Sequence, residues 1–190
     1  MRKTADLVFD LDCTISDPLQ GIYRSANYSL DAHGLDRVPE NVVASLVGPP
    51  LDELFRALVP GADDSQIESL VVKYRERYAE VGYAENSIYE GVPEALEELS
   101  GHDLTLGVCT SKREDFAVRI LEMFGIRHHF LFVDGGDVGI KKQQQLHALL
   151  SAGLVDESSR MIGDRAVDVL AAAANGMSAL GVLWGYGSER

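Results

Sequence analysis

Apolar positions along this chain fall into two patterns. Five short, mostly apolar runs are Leu7-Val8-Phe9, Leu104 to Cys109, Phe130 to Val133, Met161-Ile162 and Ala179 to Leu183. They read as strands buried on both faces of a parallel sheet, which are apolar throughout rather than alternating. Between most of them, apolar residues recur at helical spacing. One such helix is expected from about Pro93 to Leu99, with proline in its first turn and Gly101 just past its end. Others are expected over Glu114 to Phe124, stopping at Gly125, over Gln143 to Ser151 before Gly153, and over Val167 to Ala174 before Asn175-Gly176. Strand and helix alternating in this way predict right-handed crossovers and an α/β fold with a doubly wound parallel sheet, a Rossmann-like core.

The first crossover breaks the pattern. About ninety residues separate Leu11 from Leu104, where a crossover needs only a dozen or so. That stretch is itself helical in pattern: Gly21 to Ala32 carries Ile22, Ala26 and Leu30 on one face, and Leu51 to Val59 and Ile67 to Tyr78 repeat the spacing. Turn signals at Gly34, Val38-Pro39, Gly48-Pro49-Pro50 and Pro60-Gly61 divide it. The expected organisation is a core of residues 1–16 and 87–190 with a helical domain, residues 17–86, inserted after the first strand. The alternative is a set of extra helices packed on the sheet edge.

Composition narrows the function classes. The chain has 190 residues, enough to bury a core without staples. Seventeen Lys and Arg against 30 Asp and Glu give a net charge of −13, which argues against a nucleic-acid partner. A small phosphorylated substrate remains compatible, provided a local metal or lysine inverts the field. Cys13 and Cys109 share no ligand-like spacing and read as reduced thiols. His33, His102, His128, His129 and His147 have no spacing along the chain that makes a metal set. The absence of a long apolar run and of a basic–apolar leader leads to the expectation of a cytoplasmic protein with no membrane partner, a monomer or a homodimer.

In open α/β sheets the ligand site lies beyond the carboxyl ends of the strands. After Leu7-Val8-Phe9 come Asp10, Leu11 and Asp12. Side chains two apart on an extended segment face the same way, so the two carboxylates converge. Crowded carboxylates favour a bound cation or a shared proton, although ordinary acidic turn residues would look the same. Val108-Cys109 leads into Thr110-Ser111-Lys112, two hydroxyls and an ammonium where a phosphate could rest on a helix-entry turn. Arg160-Met161-Ile162-Gly163 leads into Asp164, with Asp168 four residues on and so on the same helical face. Lys141-Lys142 precede another helix and, alone, would read as solvated surface. Taken together, these strand ends specify a divalent-cation site with phosphate-holding donors.

These residues resemble the haloacid dehalogenase-like superfamily, in particular its phosphoglycolate phosphatase branch with a helical cap inserted after the first strand. Phe9-Asp10-Leu11-Asp12-Cys13-Thr14 resembles the first signature, Asp-x-Asp-x-Thr, and Thr110 the hydroxyl of the second. Lys142 is the better match to the third-motif lysine, with Lys141 as fallback, and Gly163 to Asp168 resembles the fourth. Tyr89 to Val92 and Gly181 to Gly187 look like flanking segments of the same branch.

The resemblance implies a Mg²⁺-dependent phosphomonoester hydrolase acting on a small phosphorylated metabolite. Asp10 would attack phosphorus and form an aspartyl-phosphate. Asp12 would protonate the leaving alcohol and later take a proton from water. Mg²⁺ would be held by Asp10, the backbone carbonyl of Asp12 and Asp164, with Asp168 a ligand or the orienter of a bound water. Thr110, Ser111 and Lys142 would hold phosphoryl oxygens. The cap would act as a lid, with Tyr23, Gly48, Pro49 and Leu51 reading the substrate. Other implied readings are a 5'-nucleotidase, a phosphosugar mutase, or a catalytically impaired phosphate-binding or regulatory relative. Cys13 stands where these phosphatases usually carry glycine, which implies strain if the position needs a glycine-like backbone. The sequence stops at Arg190, shortly after Gly187, whereas relatives usually continue through another short strand or helix; either the protein is naturally short or its tail is missing, which bears on edge packing more than on chemistry.

Overall fold

The computed structural model describes residues 4–102 and 104–187; the extreme ends of the expected core lie outside them. A five-stranded parallel sheet organises the chain: β1 (Leu7–Phe9), β4 (Leu106–Arg113), β5 (Phe130–Gly136), β6 (Arg160–Gly163) and β7 (Ser178–Gly181), in the order β5-β4-β1-β6-β7. The chain starts in the middle, winds outward to one edge through β4 and β5, then returns beside β1 for β6 and β7. Each run expected to form a strand does so. The register sets Phe9 opposite Val108 and Ile162, which brings the carboxyl ends of β1, β4 and β6 level.

Burial on both faces explains the apolar runs of β1, β6 and the first half of β4, whereas the edge strand β7 has no fully buried residue. Phe9 and Val108 pack with Leu96, Ile120 and Leu121 from α5 (Val92–Gly101) and α6 (Glu114–Met123) on one side. Val8, Cys109 and Met161 pack with Leu146, Leu149 and Ala172 from α7 (Lys142–Ser151) and α8 (Ala166–Ala174) on the other. Two differences from the expected boundaries matter. Gly101 is the last residue of α5 rather than its stop signal. β4 continues through Thr110 to Arg113, with an irregularity between Thr110 and Arg113, where a turn was expected. Glycines on β5 permit this. A Cβ at Gly135 would lie 2.2 Å from Glu114 N, and one at Gly136 would lie 2.9 Å from Ser111 O.

Before α5, the long first crossover holds four α-helices: α1 (Leu19–Ala32), α2 (Glu40–Leu46), α3 (Leu51–Leu58) and α4 (Asp64–Glu80). They share a hydrophobic cluster built on Leu30, Val43, Phe55, Leu70, Tyr74 and Tyr78. The chain enters and leaves this body through β2 (Ser16–Asp17) and β3 (Ser87–Ile88), which pair antiparallel. The periodicity did not anticipate α2, β2 or β3. Among the described residues, no helix is long and apolar enough to cross a membrane.

Candidate active site

The carboxyl ends of β1, β4 and β6 carry the polar residues singled out in the sequence, and several of them meet there. Asp10 directly follows β1; its amide donates to Ile162 O (2.8 Å), and its Oδ1 accepts from Leu11 N (2.8 Å). Leu11 is fully buried beneath it. Lys142, the first residue of α7, reaches in from the far side with a side chain of 0% exposure. Its Nζ lies 2.8 Å from Asp10 Oδ2 and 2.5 Å from Asp168 Oδ1. Burial works against the charge on Lys142, but the Asp10 and Asp168 carboxylates outweigh it and raise its pKa. Lys141 is exposed, and its amide donates to Gln144 Oε1 at the start of the helix.

Asp164 and Asp168 face the same centre. One oxygen from each of Asp10, Asp164 and Asp168 lies within 4.8 Å of the others. Lys142 serves two of the three buried carboxylates and Arg165 Nε stands 3.9 Å from Asp164 Oδ2, so three negative charges face two positive ones. Burial, and then the Asp10 charge, push the Asp164 carboxyl up to about 6. Its Oδ2 accepts from Tyr186 N (2.9 Å) and Gly187 N (3.0 Å), while its buried Oδ1 has no partner. An oxygen-only donor set with an orphaned carboxylate oxygen fits a hard divalent cation such as Mg²⁺. Asp168 is engaged otherwise: Oδ1 takes Lys142, and Oδ2 accepts from Arg165 N (3.0 Å), capping α8 from its third position. Of the two roles open to Asp168, positioning therefore suits it better than direct ligation.

Asp12 turns away from this cluster. Its Oδ2 pairs with Lys112 Nζ at 2.8 Å, and its buried Oδ1 is unpartnered. Burial raises the Asp12 pKa, with Lys112 opposing. Cys13, next along, sits at φ +65°, the left-handed region that glycine favours, with its side chain buried. The turn closes with Cys13 N donating to Ser16 O (2.7 Å). Thr110 is buried at the end of the regular part of β4; its carbonyl accepts from Gln145 Nε2 (3.0 Å), and its Oγ1 accepts from Lys112 N (3.3 Å).

A cleft of about 80 Å³ lies between this rim and the four helices, lined by Asp12, Ser111 and Lys112 from below and by Gly48, Pro49 and Leu51 from above. Tyr23 does not join them. It packs on the helical cluster and lines a separate hollow with Asn27 and Arg37, while its neighbour Ile22 reaches the cleft. Contacts that fasten the helices to the rim include Lys112 Nζ donating to Tyr78 OH (2.8 Å), the Arg75–Asp137 pair, and Arg165, whose Nη2 donates to Ala44 O (3.2 Å) and Nη1 to Ser45 O (3.4 Å).

The family pattern of the haloacid dehalogenase-like hydrolases matches residues 7–182, the span that holds every one of these strand ends. The chain belongs to the haloacid dehalogenase-like hydrolases. Among curated relatives, it is 38% identical over 188 residues to a 5'-nucleotidase of Pseudomonas aeruginosa, covering 97% of this chain and 85% of the relative. It is 31% identical over 187 residues to a phosphoglycolate phosphatase of Agrobacterium fabrum, covering 94% and 80%. The solved structure of a predicted phosphatase from Clostridium acetobutylicum superposes with a TM-score of 0.91 at 29% identity, covering 99% of this chain and 88% of that one. This haloacid dehalogenase-like chain is accordingly an enzyme of the phosphatase kind.

Sequence reasoning missed several supporting groups. Lys112 was visible as the third residue of Thr110-Ser111-Lys112, but its pairing with Asp12 was not. Gly185 and Gly187 cradle Asp164: a Cβ at either would lie 2.4 Å from Asp164 Cβ or 1.7 Å from Asp164 O, respectively. Spacing along the chain also hid a meeting of Glu97 with His128 and His129, whose ligand atoms lie within 4.8 Å of one another. That group is at the amino end of β5, away from the strand ends that hold the acidic cluster.

Proposed function

We propose that this hydrolase is a Mg²⁺-dependent phosphatase of a small phosphomonoester, working through an aspartyl-phosphate on Asp10. The observation that carries the reading is the setting of Asp10, with Lys142 2.8 Å from one oxygen and Asp164 in the same buried cluster. In the first step an Asp10 oxygen forms a bond to phosphorus as the P–O bond to the leaving group breaks. Asp12 gives its proton to the departing oxygen, and in the second step takes one from the water that attacks the aspartyl-phosphate. Its raised pKa suits the first task. Thr110, Ser111 and Lys142 hold the phosphoryl oxygens, and Asp168 keeps Lys142 in place. Mg²⁺, held by Asp10, Asp164 and the backbone carbonyl of Asp12, would supply the positive charge that lets a phosphate dianion enter a carboxylate-rich pocket.

Residues 17–86 are the cap of this reading, closing over the strand ends to exclude water and to touch the leaving group through Gly48, Pro49 and Leu51. The relatives named for phosphoglycolate and for 5'-nucleotides offer two substrate sizes. A cleft of about 80 Å³ favours a leaving group of few atoms over a nucleoside. The test is a panel of phosphometabolites with and without Mg²⁺, run alongside Asp10→Asn. Mg²⁺-dependent phosphate release from small esters, lost in a folded Asp10→Asn, is the expected result. Near-normal hydrolysis by the variant would end the nucleophile assignment.

A further inference from the structure

Lys112 has no part in the mechanism above, yet it is a buried cation that touches both the core and the cap side of the site. Its side chain is 7% exposed, and its Nζ touches Asp12 Oδ2 and Tyr78 OH, each at 2.8 Å. Tyr78 belongs to α4 and is itself fixed by stacking on Tyr74 (5.3 Å between centroids) and by an edge contact with Phe116 (5.1 Å). The Lys112 ammonium also lies 4.8 Å from the Tyr78 ring centroid. One lysine thus bridges a carboxylate of the core to a rigid aromatic stack under the helices.

The bridge treats the two oxygens of Asp12 differently. Oδ2 is occupied by the ammonium, and Oδ1 is buried with no partner beside the cleft that would receive a leaving group. We propose that Lys112 is a positioning residue for Asp12, tied to the cap through Tyr78, so that the acid is aimed at the leaving oxygen only when α4 is docked. This rests on the phosphatase reading and deepens it. When the P–O bond breaks, its electron pair goes to the leaving oxygen, which receives the proton from Asp12 Oδ1. The charge left on the carboxylate is then met by Lys112 at Oδ2. Without the lysine Asp12 loses the ammonium that holds its Oδ2 and the nearest positive charge to the carboxylate that the proton transfer leaves behind.

The readout is leaving-group dependence. Protonation matters for an alkyl ester, whose alkoxide is a poor leaving group, and much less for 4-nitrophenyl phosphate, whose phenolate departs unaided. In kcat/KM, which reports formation of the phosphoenzyme, Lys112→Met should lose about a hundredfold on an alkyl phosphate and less than about tenfold on the aryl ester. Tyr78→Phe, which keeps the aromatic packing, should show the same selectivity in weaker form and serves if Lys112→Met does not fold. In an Asp12→Asn background, Lys112→Met should add little on the alkyl ester, because the two act as one unit. Equal losses on both esters, no loss on either, or full additivity with Asp12→Asn would overturn the proposal. A wild-type protein with no Mg²⁺-dependent turnover of either ester would instead overturn the phosphatase reading.

Discussion

On the proposed Mg²⁺-dependent reading, acidification should loosen metal binding with a midpoint set by Asp164. Its carboxyl is raised from 3.8 to about 6, first by burial and then by Asp10. A metal needs the ionised form, so proton and cation compete for one site. With a pKa near 6, about nine-tenths of the carboxyl is charged at pH 7 and about one-tenth at pH 5. Mg²⁺ affinity should therefore fall about tenfold between these values, which removes about 1.4 kcal/mol of the stabilisation that saturating Mg²⁺ confers. The metal-free protein should move in the opposite direction. A carboxyl with a raised folded-state pKa holds its proton more tightly folded than unfolded, so its contribution grows as pH falls through about 6 towards 4 and is lost as pH rises. Isothermal calorimetry of Mg²⁺ at pH 7 and pH 5 measures the first effect, and thermal melts with and without Mg²⁺ measure both. Asp164→Asn should abolish the pH dependence along with most of the affinity. An affinity that is flat from pH 7 to 5, or that falls equally in Asp164→Asn, would refute the argument.

Two further outcomes follow from buried groups. Asp168→Ala strips Lys142 of one of its two carboxylates and α8 of its cap, and should cost about 3–5 kcal/mol in urea unfolding; a loss under about 1 kcal/mol would show that Lys142 relaxes into solvent. Cys13→Val puts a β-branched side chain at φ +65° and should destabilise by about 1–3 kcal/mol, whereas Cys13→Gly should be tolerated; equal melting points for the two variants would mean that the turn accepts any residue.

The sheet was legible in the sequence because the central strands β1, β4 and β6 are covered on both faces and open on apolar runs, and the edge strands β5 and β7 also coincide with apolar runs although they are less buried. Boundaries were read less well where polar residues continue a strand. Thr110 to Arg113 looked like a turn, and only the missing side chains of Gly135 and Gly136, one strand away, let them extend β4. α2 (Glu40–Leu46) escaped notice because only Val43 is fully buried in it and β-branched residues dilute its helical signal. In the site, Asp10, Thr110, Asp164 and Asp168 could be singled out because each follows a strand or opens a helix, whereas Lys142 by itself looked like solvated surface and was picked out by the family resemblance. What each touches could not: the capture of Asp168 by Lys142 and Arg165 N, the turn of Asp12 toward Lys112, and the support of Asp164 by Gly185 and Gly187 depend on distances between segments far apart in sequence.

The neighbouring lysines at the head of α7 have opposite fates. Lys141 is exposed to solvent, whereas the Lys142 ammonium is sealed between two carboxylates. Acylating reagents attack a free, uncharged amine, so the folded protein offers them Lys141 and withholds Lys142. An acyl mark on Lys142 would have to be placed before the chain folds, and a chain so marked would have lost the ammonium that bridges Asp10 and Asp168.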